Sequence, residues 1–232
     1  ILGEAWLGPY CFQVDPRVIV PRSFIAELLM DDLSPWVQNP EHITRIADIC
    51  TGSGCLAIIA AQHFPNAQVD AVDLSPDALA VAKDNVAAYQ LERRLHLHHG
   101  DLMTPVLDQK YDIIISNPPY VDASSMDALP VEYRHEPTMA LAGGNDGLDL
   151  VHTLLRQAAP GVRRTLVFLL CAFATGLCGA LRPPGPVTPL LAVVESGPAV
   201  EWTKPEDITR EVRLPHRVGN FTYASVLAFN KE

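Results

Sequence analysis

The chain has 232 residues, of which 48% are hydrophobic, and a formal net charge of −10 at pH 7. This length and composition predict one large domain, or a domain with an appendage, that buries a sizeable core. The acidic balance argues against stable binding to a phosphate backbone and favours basic proteins as partners. The five cysteines form no C-x-x-C pair, which indicates reduced intracellular thiols and a cytoplasmic location.

The predicted elements begin with a β-hairpin and a linker helix within residues 1–34. Alternating apolar residues place the hairpin at 10–20, around Asp15-Pro16, and a helix follows through about Leu33, with Ser23 as its cap. Residues 35–232 form the main domain, in which strands and helices alternate. They are a strand at 45–49, a helix at 56–64, a strand at 67–72, a helix at 76–91 capped by Ser75, and strands at 95–99 and 111–116. This alternation predicts an α/β fold with a Rossmann-like, doubly wound and mostly parallel sheet.

The C-terminal third changes character. An amphipathic helix is predicted at 147–159, and late strands at 190–195 and 221–229. The stretch 166–181 holds no charge, but its sixteen residues fall short of the roughly 20 that span a bilayer. A buried strand or helix is therefore favoured there over a membrane segment or a rearranged stretch.

A glycine-rich loop, Asp48-Ile49-Cys50-Thr51-Gly52-Ser53-Gly54, follows the strand at 45–49. Glycines let a backbone approach a ligand closely, and the next helix offers free N–H groups. Asp73 ends the second strand about 20 residues further on, which is the usual position for a carboxylate that accepts ribose hydroxyls. The loop also satisfies a dinucleotide fingerprint, so alone it predicts only a nucleoside-bearing cofactor. The predicted cofactor-binding residues are Asp48, Thr51, Gly52, Gly54, Asp73, Leu74, Asp101, Leu102 and Asn117.

Asn117-Pro118-Pro119-Tyr120 follows the apolar strand at 111–116. The two prolines remove two backbone donors and stiffen the loop. A carboxamide oxygen can accept an N–H of a planar amide while the neighbouring ring covers its face. The loop therefore predicts catalysis by Asn117, Pro118 and Tyr120, and substrate binding by all four residues, with S-adenosylmethionine rather than NAD as the cofactor. The alternative is a Pro-Pro turn without a function.

These motifs resemble the class I methyltransferases that methylate the side-chain amide of glutamine in proteins, the protein-(glutamine-N5) methyltransferase family. Two further segments match it: Val20-Pro21-Arg22 before a helix, and residues 132–137 followed by Ala142-Gly143-Gly144. The family has two main branches, which act on the third protein of the large ribosomal subunit or on release factors. The sequence at 3–6 and 129–137 is closer to that of the ribosomal-protein branch. The similarity covers about residues 1–160. The family's N-terminal helical domain precedes the point where this sequence begins, and 161–189 is atypical.

The resemblance implies an S-adenosylmethionine-dependent enzyme whose substrate is a glutamine in a basic protein, either a ribosomal protein or a release factor. It implies no membrane partner and no stable binding to nucleic acid. Two alternatives stay open. Methyltransferases of exocyclic amino groups in adenine or guanine carry Asn-Pro-Pro-Tyr or a close variant of it, and a truncated relic would bind the cofactor without turnover.

Two smaller groups have competing interpretations. His96 and His98 share one face of a strand, but no metal site is expected because no nearby acid or cysteine completes a ligand set. Glu27, Arg134 and Glu136 lie in the matching segments, and we expect them to form either a structural ion pair or contacts with the substrate.

Overall fold

A computed structural model of the chain describes residues 3–158, with gaps at 24, 35–36, 128, 130–132, 134, 146 and 148. Beyond that range it describes only the backbone of several strands. The helices are α1 (Ile25–Met30), α2 (Cys55–His63), α3 (Pro76–Ala88), α4 (Ala123–Met126) and α5 (Asp149–Ala158). The longer strands are β1 (Glu4–Leu7), β2 (Tyr10–Gln13), β3 (Arg45–Ile49), β4 (Gln68–Asp73), β5 (Leu95–His99), β6 (Tyr111–Ser116), β7 (Val162–Cys171) and β8 (Leu190–Val193). Four two-residue strands follow, β9 (Glu211–Val212), β10 (Arg217–Val218), β11 (Phe221–Thr222) and β12 (Val226–Leu227).

A six-stranded sheet with the order β5-β4-β3-β6-β7-β8 organises the described part of the chain. The first five of these strands are parallel to one another, and β8 runs antiparallel to β7. The chain leaves β3 toward one side of the sheet and returns to its other side with β6. Ligands of such sheets bind beyond the carboxyl ends of the strands at this switch point. The predicted doubly wound, mostly parallel α/β fold is confirmed.

The core lies on both faces of this sheet. On one face, residues of α1 and α2 pack against the sheet, among them Ile25, Leu29 and Ile58. On the other face, Leu154 of α5 packs with Met103 and the strands. Because both faces are covered, β6 is buried along nearly its whole length, as its continuous apolar run predicts.

The hairpin exists, but its predicted position at 10–20 is wrong. Strands β1 and β2 pair antiparallel, with Leu7 opposite Tyr10. The two residues between them are Gly8 and Pro9, and Gly8 has φ of 59°. Glycine is favoured at the first central position of such a two-residue hairpin turn because it tolerates positive φ. Asp15 instead closes a separate turn through its carbonyl, which accepts the Val18 N–H at 3.1 Å.

Two helices are shorter than predicted. The first ends at Met30 rather than near Leu33, because Asp32 and Leu33 have φ of 51° and 56° and cannot continue a right-handed helix. Likewise α3 ends at Ala88, and Gln90 follows with φ of 57°. The start of α3 is as predicted, since the Ser75 hydroxyl accepts the Ala78 N–H at 3.1 Å.

In the C-terminal part, the structure describes β11 and β12 within the predicted strand at 221–229, and the rest of that stretch lies outside the described residues. The uncharged stretch at 166–181 continues β7 up to Cys171, and its remainder lies outside the described residues. Among the described helices, none has the length and apolar character needed to cross a bilayer. The division at residue 34 stays a prediction.

Candidate active site

The glycine-rich loop between β3 and α2 is tied to the end of β4. The Thr51 N–H donates to the Val72 carbonyl at 3.0 Å. Gly52 and Gly54 have φ of 57° and 80°, which other residues rarely adopt. A Cβ on Gly52 would meet no atom within 4 Å, so the backbone there is open to a ligand. A Cβ on Gly54 would lie 3.2 Å from the Ala82 Cβ, so that glycine also serves the packing of the loop against α3.

Asp48 is fully buried beneath this loop. Its Oδ2 accepts the Thr51 hydroxyl at 2.5 Å and the Ala57 N–H at 3.0 Å. It thereby supplies the capping acceptor for α2, because the N-cap residue Gly54 has no side chain to do so. Burial raises the pKa of Asp48 to about 7, although these two hydrogen bonds act in the opposite direction. Its Oδ1 is buried and has no hydrogen-bond partner among the described residues.

Asp73 connects the glycine-rich loop with the start of α3. Its Oδ2 accepts the Gly52 N–H at 2.7 Å, and its Oδ1 accepts the Ser75 N–H at 2.9 Å. Burial raises the pKa of Asp73, against the effect of those two N–H donors. Each carboxylate oxygen has a second lone pair, so the group can still accept hydroxyls of a bound molecule.

The ends of β4 and β5 are joined beside Asp73. The Gly100 N–H donates to the Asp73 carbonyl at 3.0 Å, and His99 Nε2 lies 3.0 Å from the Leu74 carbonyl oxygen. Leu74 is 50% exposed, which offers an apolar surface next to the carboxylate. Asp101 is exposed too. Leu102 differs, because its side chain is buried in the core.

The Asn117–Tyr120 loop begins where β6 ends, beside the glycine-rich loop. Ser116 fixes that junction by donating its hydroxyl to the Ile49 carbonyl at 2.6 Å. Pro118 is buried, and Asn117, Pro119 and Tyr120 are half-buried. The Oδ1 atom of Asn117 is buried and has no hydrogen-bond partner among the described residues. A buried acceptor without a partner is costly, so such an atom points to a ligand that supplies the donor.

Residues 141–147 pack against the end of the Asn117–Tyr120 loop. The Val121 N–H donates to the Leu141 carbonyl, and the Gly143 N–H donates to the Val121 carbonyl, both at 2.8 Å. A Cβ on Gly143 would lie 2.6 Å from the Tyr120 Cα, and a Cβ on Gly147 would overlap the Tyr120 carbonyl oxygen. Only glycine allows this close approach. Gly143 and Gly147 are not among the predicted site residues, although the Gly143-Gly144 pair in the downstream motif pointed to this segment.

Glu136 was expected either to form a structural ion pair or to contact the substrate. It forms an ion pair, but with a partner that was not predicted. Glu136 pairs with Arg22, whereas Arg134 lies outside the described residues. Glu27 is exposed on α1.

The histidines of β5 are engaged separately. His96 Nε2 lies 3.2 Å from Gln68 Oε1. His98 Nε2 lies 2.8 Å from Asp70 Oδ1, so the expectation that no acid lies nearby was wrong. Even so, the described residues contain no group of three or more His, Cys, Asp or Glu side chains that could hold a metal ion.

Comparison with known proteins shows which sequences this chain resembles. Residues 26–132 match the family described as the methyltransferase small domain. Ribosomal protein uL3 glutamine methyltransferases of Burkholderia pseudomallei and Bordetella pertussis are 59% and 60% identical to the chain over 162 and 161 residues. The chain is a relative of the uL3 glutamine methyltransferases. The family resemblance and the branch predicted from the motifs are thereby confirmed.

These matches cover a larger share of this chain than of its relatives. They cover 67% and 69% of this chain but 53% and 54% of the two relatives, so the chain spans about half the length of the curated relatives it matches. Among solved structures, the catalytic domain of hMettl16 in complex with MAT2A 3'UTR hairpin 6 has a TM-score of 0.53 at 15% identity. That match covers 68% of this chain and 60% of the other. At this identity it shows the class I methyltransferase fold alone.

Proposed function

We propose that this chain transfers a methyl group from S-adenosylmethionine to the side-chain amide nitrogen of a glutamine in ribosomal protein uL3. The observation that carries the proposal is the Oδ1 of Asn117 at the carboxyl end of β6, which is buried and finds no hydrogen-bond partner among the residues that the structure describes. The names of the relatives with 55–60% identity supply the substrate. The net charge of −10 suits a basic protein partner in the cytoplasm.

The residues around the glycine-rich loop fit the cofactor. The backbone at Gly52 is open, and the Asp73 carboxylate beside it would accept the ribose hydroxyls. Exposed Leu74 would cover one face of the adenine, and Asp101 would accept the exocyclic N–H of its edge. Asp48, Thr51 and Gly54 would fix the conformation of the glycine-rich loop. The buried Leu102 would support the cofactor site from the core. S-adenosylmethionine supplies an electrophilic methyl group on a positively charged sulfur.

The Asn117–Tyr120 loop would hold the glutamine amide. Its nitrogen is a weak nucleophile because the lone pair is delocalised into the carbonyl. Asn117 Oδ1 and the Pro118 carbonyl would accept the two amide N–H groups, which orients the nitrogen and stabilises the positive charge that grows on it. The Tyr120 ring would cover the amide plane, and Pro119 would keep the loop stiff. No general base is required first, because the amide proton can leave after the new N–C bond has begun to form.

The decisive experiment follows the methyl label. The chain is incubated with methyl-labelled S-adenosylmethionine and, separately, with uL3, release factors and nucleic acid, and Asn117→Ala serves as the matched control. We expect label on a glutamine of uL3 and far less with the control. Label on release factors would move the assignment to the other branch, and label on adenine or guanine would overturn it. Cofactor binding without any transfer would identify a non-catalytic relic.

A further inference from the structure

Glu136 joins two parts of the chain that lie far apart in sequence. Arg22 Nη1 donates to its Oε1 at 2.7 Å, and Arg22 Nη2 donates to its Oε2 at 2.5 Å. The Val20 N–H also donates to Oε1, at 3.1 Å. These contacts bridge 114 to 116 residues, from the segment before α1 to the segment that follows the Asn117–Tyr120 loop.

This ion pair is unlike an ordinary surface pair. The Glu136 side chain is 8% exposed and the Arg22 side chain 38%. Burial alone would lower the pKa of Arg22, but the hydrogen bonds and charge of Glu136 raise it. A fork-to-fork pair of this kind fixes a geometry as well as contributing energy, and removal of one partner leaves a buried charge without compensation. By contrast, Arg17 forms its ion pair with Asp15, two residues away, and both side chains are well exposed.

A continuous set of contacts leads from the pair to the Asn117–Tyr120 loop. The Arg22 guanidinium lies 4.6 Å from the centre of the Tyr133 ring. Tyr133, Ile19 and Tyr120 all pack against one small cluster of buried residues, formed by Val121, Leu129 and Leu141. Tyr120, the last residue of the loop, is thus held on one side by this cluster and on the other by the backbone at Gly143.

We propose that Arg22 and Glu136 are positioning residues that clamp the Tyr120 end of the loop for the acceptor glutamine. The inference rests on the proposed function, and it means that residues outside the cofactor pocket help to place the acceptor glutamine. The pair does not touch the reacting atoms. It holds Tyr133 and the segment 19–22 against the loop, so that Asn117 Oδ1 and the Pro118 carbonyl keep their separation and direction.

The test uses Arg22→Gln and Glu136→Gln, with Arg22→Lys as a milder variant that keeps the charge but loses the fork. Arg17→Gln is the matched control, since it breaks an exposed pair near the same segment. We expect Arg22→Gln and Glu136→Gln to lower the single-turnover rate of methyl transfer on the order of 10²-fold, the cost of a small misplacement of reacting groups. The single-turnover rate of Arg22→Lys should lie between the rates of these two variants and the rate of the parent. The dissociation constant of S-adenosylmethionine, measured by calorimetry, should stay within about twofold of the parent.

A second readout does not depend on activity. Hydrogen exchange of the Val121 and Gly143 amides reports the bonds that fasten the loop, and we expect it to become about tenfold faster in Arg22→Gln, whereas the amides of α2 keep the parent's rates. Unchanged exchange at these two amides would refute the clamp, whatever the activity. A loss of cofactor affinity in step with the rate would also refute it, because that marks general destabilisation. If the parent chain transfers no methyl group at all, the proposed function fails, and the exchange rates still decide whether the pair holds the loop.

Discussion

Asp48 should make the stability of this protein depend on pH in a direction opposite to that of most carboxylates. Burial raises its pKa from the usual 3.8 to about 7, and it outweighs the hydrogen bonds from Thr51 and Ala57. Between pH 4 and pH 7 the folded chain therefore binds one more proton at this site than the unfolded chain does. The free energy of unfolding then falls as the pH rises through this window and levels off above the folded pKa. A shift of this size corresponds to about 4 kcal/mol.

The measurement is urea unfolding of the parent and of Asp48→Asn at several pH values between 4.5 and 8. An Asn side-chain oxygen in the place of Oδ2 can still accept both donors, but Asn cannot ionise. The contributions of carboxylates that do not interact with Asp48 cancel in the difference between the two proteins. We expect the parent to lose stability relative to Asp48→Asn as the pH rises, by an amount on the order of a few kcal/mol.

Asp122→Asn is the matched control. Asp122 is half-buried, and hydrogen bonds from Ser124 and Ser125 lower its pKa to about 2, so its contribution is lost only as the pH falls below about 4. Its difference curve should be flat from pH 5 to 8. A flat curve for Asp48→Asn as well, or one in which the parent gains stability with rising pH, would show that the two donors outweigh burial and that the reasoning is wrong.

Three further substitutions test the proposed site. Asp73→Ala should weaken the binding of S-adenosylmethionine by about 1.5–3 kcal/mol, because a charged hydrogen-bond acceptor is lost; unchanged affinity in calorimetry would remove Asp73 from the site. Asn117→Ala should slow methyl transfer on the order of 10²–10³-fold at nearly unchanged cofactor affinity, with Asn117→Asp retaining more activity, and parental single-turnover rates in both would mean that the loop is only structural. Gly143→Ala should displace the loop and lower the free energy of unfolding by about 1–3 kcal/mol, because its Cβ would lie 2.6 Å from the backbone of Tyr120; a parental melting temperature with parental activity would contradict the close approach.

Local sequence patterns were sufficient to predict much of the sheet and the motifs that its strands carry. Strands β3, β5 and β6 have the predicted bounds, and Ser75 caps α3 as its position before Pro76 indicates. Apolar runs, turn residues and helix caps act over a few neighbouring residues, so they are readable in the sequence. Strand–helix alternation then leaves few topologies, and the parallel order brings the loops after β3 and β6 to one edge.

The organisation of the site itself depended on contacts between distant residues. The sequence shows an acid at Asp48, but only the fold buries it beneath α2 and thereby raises its pKa. Nothing near Arg22 in the chain identifies Glu136 as its partner, and nothing near Tyr120 shows that Gly143 must lack a side chain. Amino-acid patterns determined where the loops lie and which chemistry they carry. Only the tertiary structure decided which atoms are buried, paired or left without a partner, because desolvation and close packing depend on residues brought together from more than 20 to more than 100 positions away.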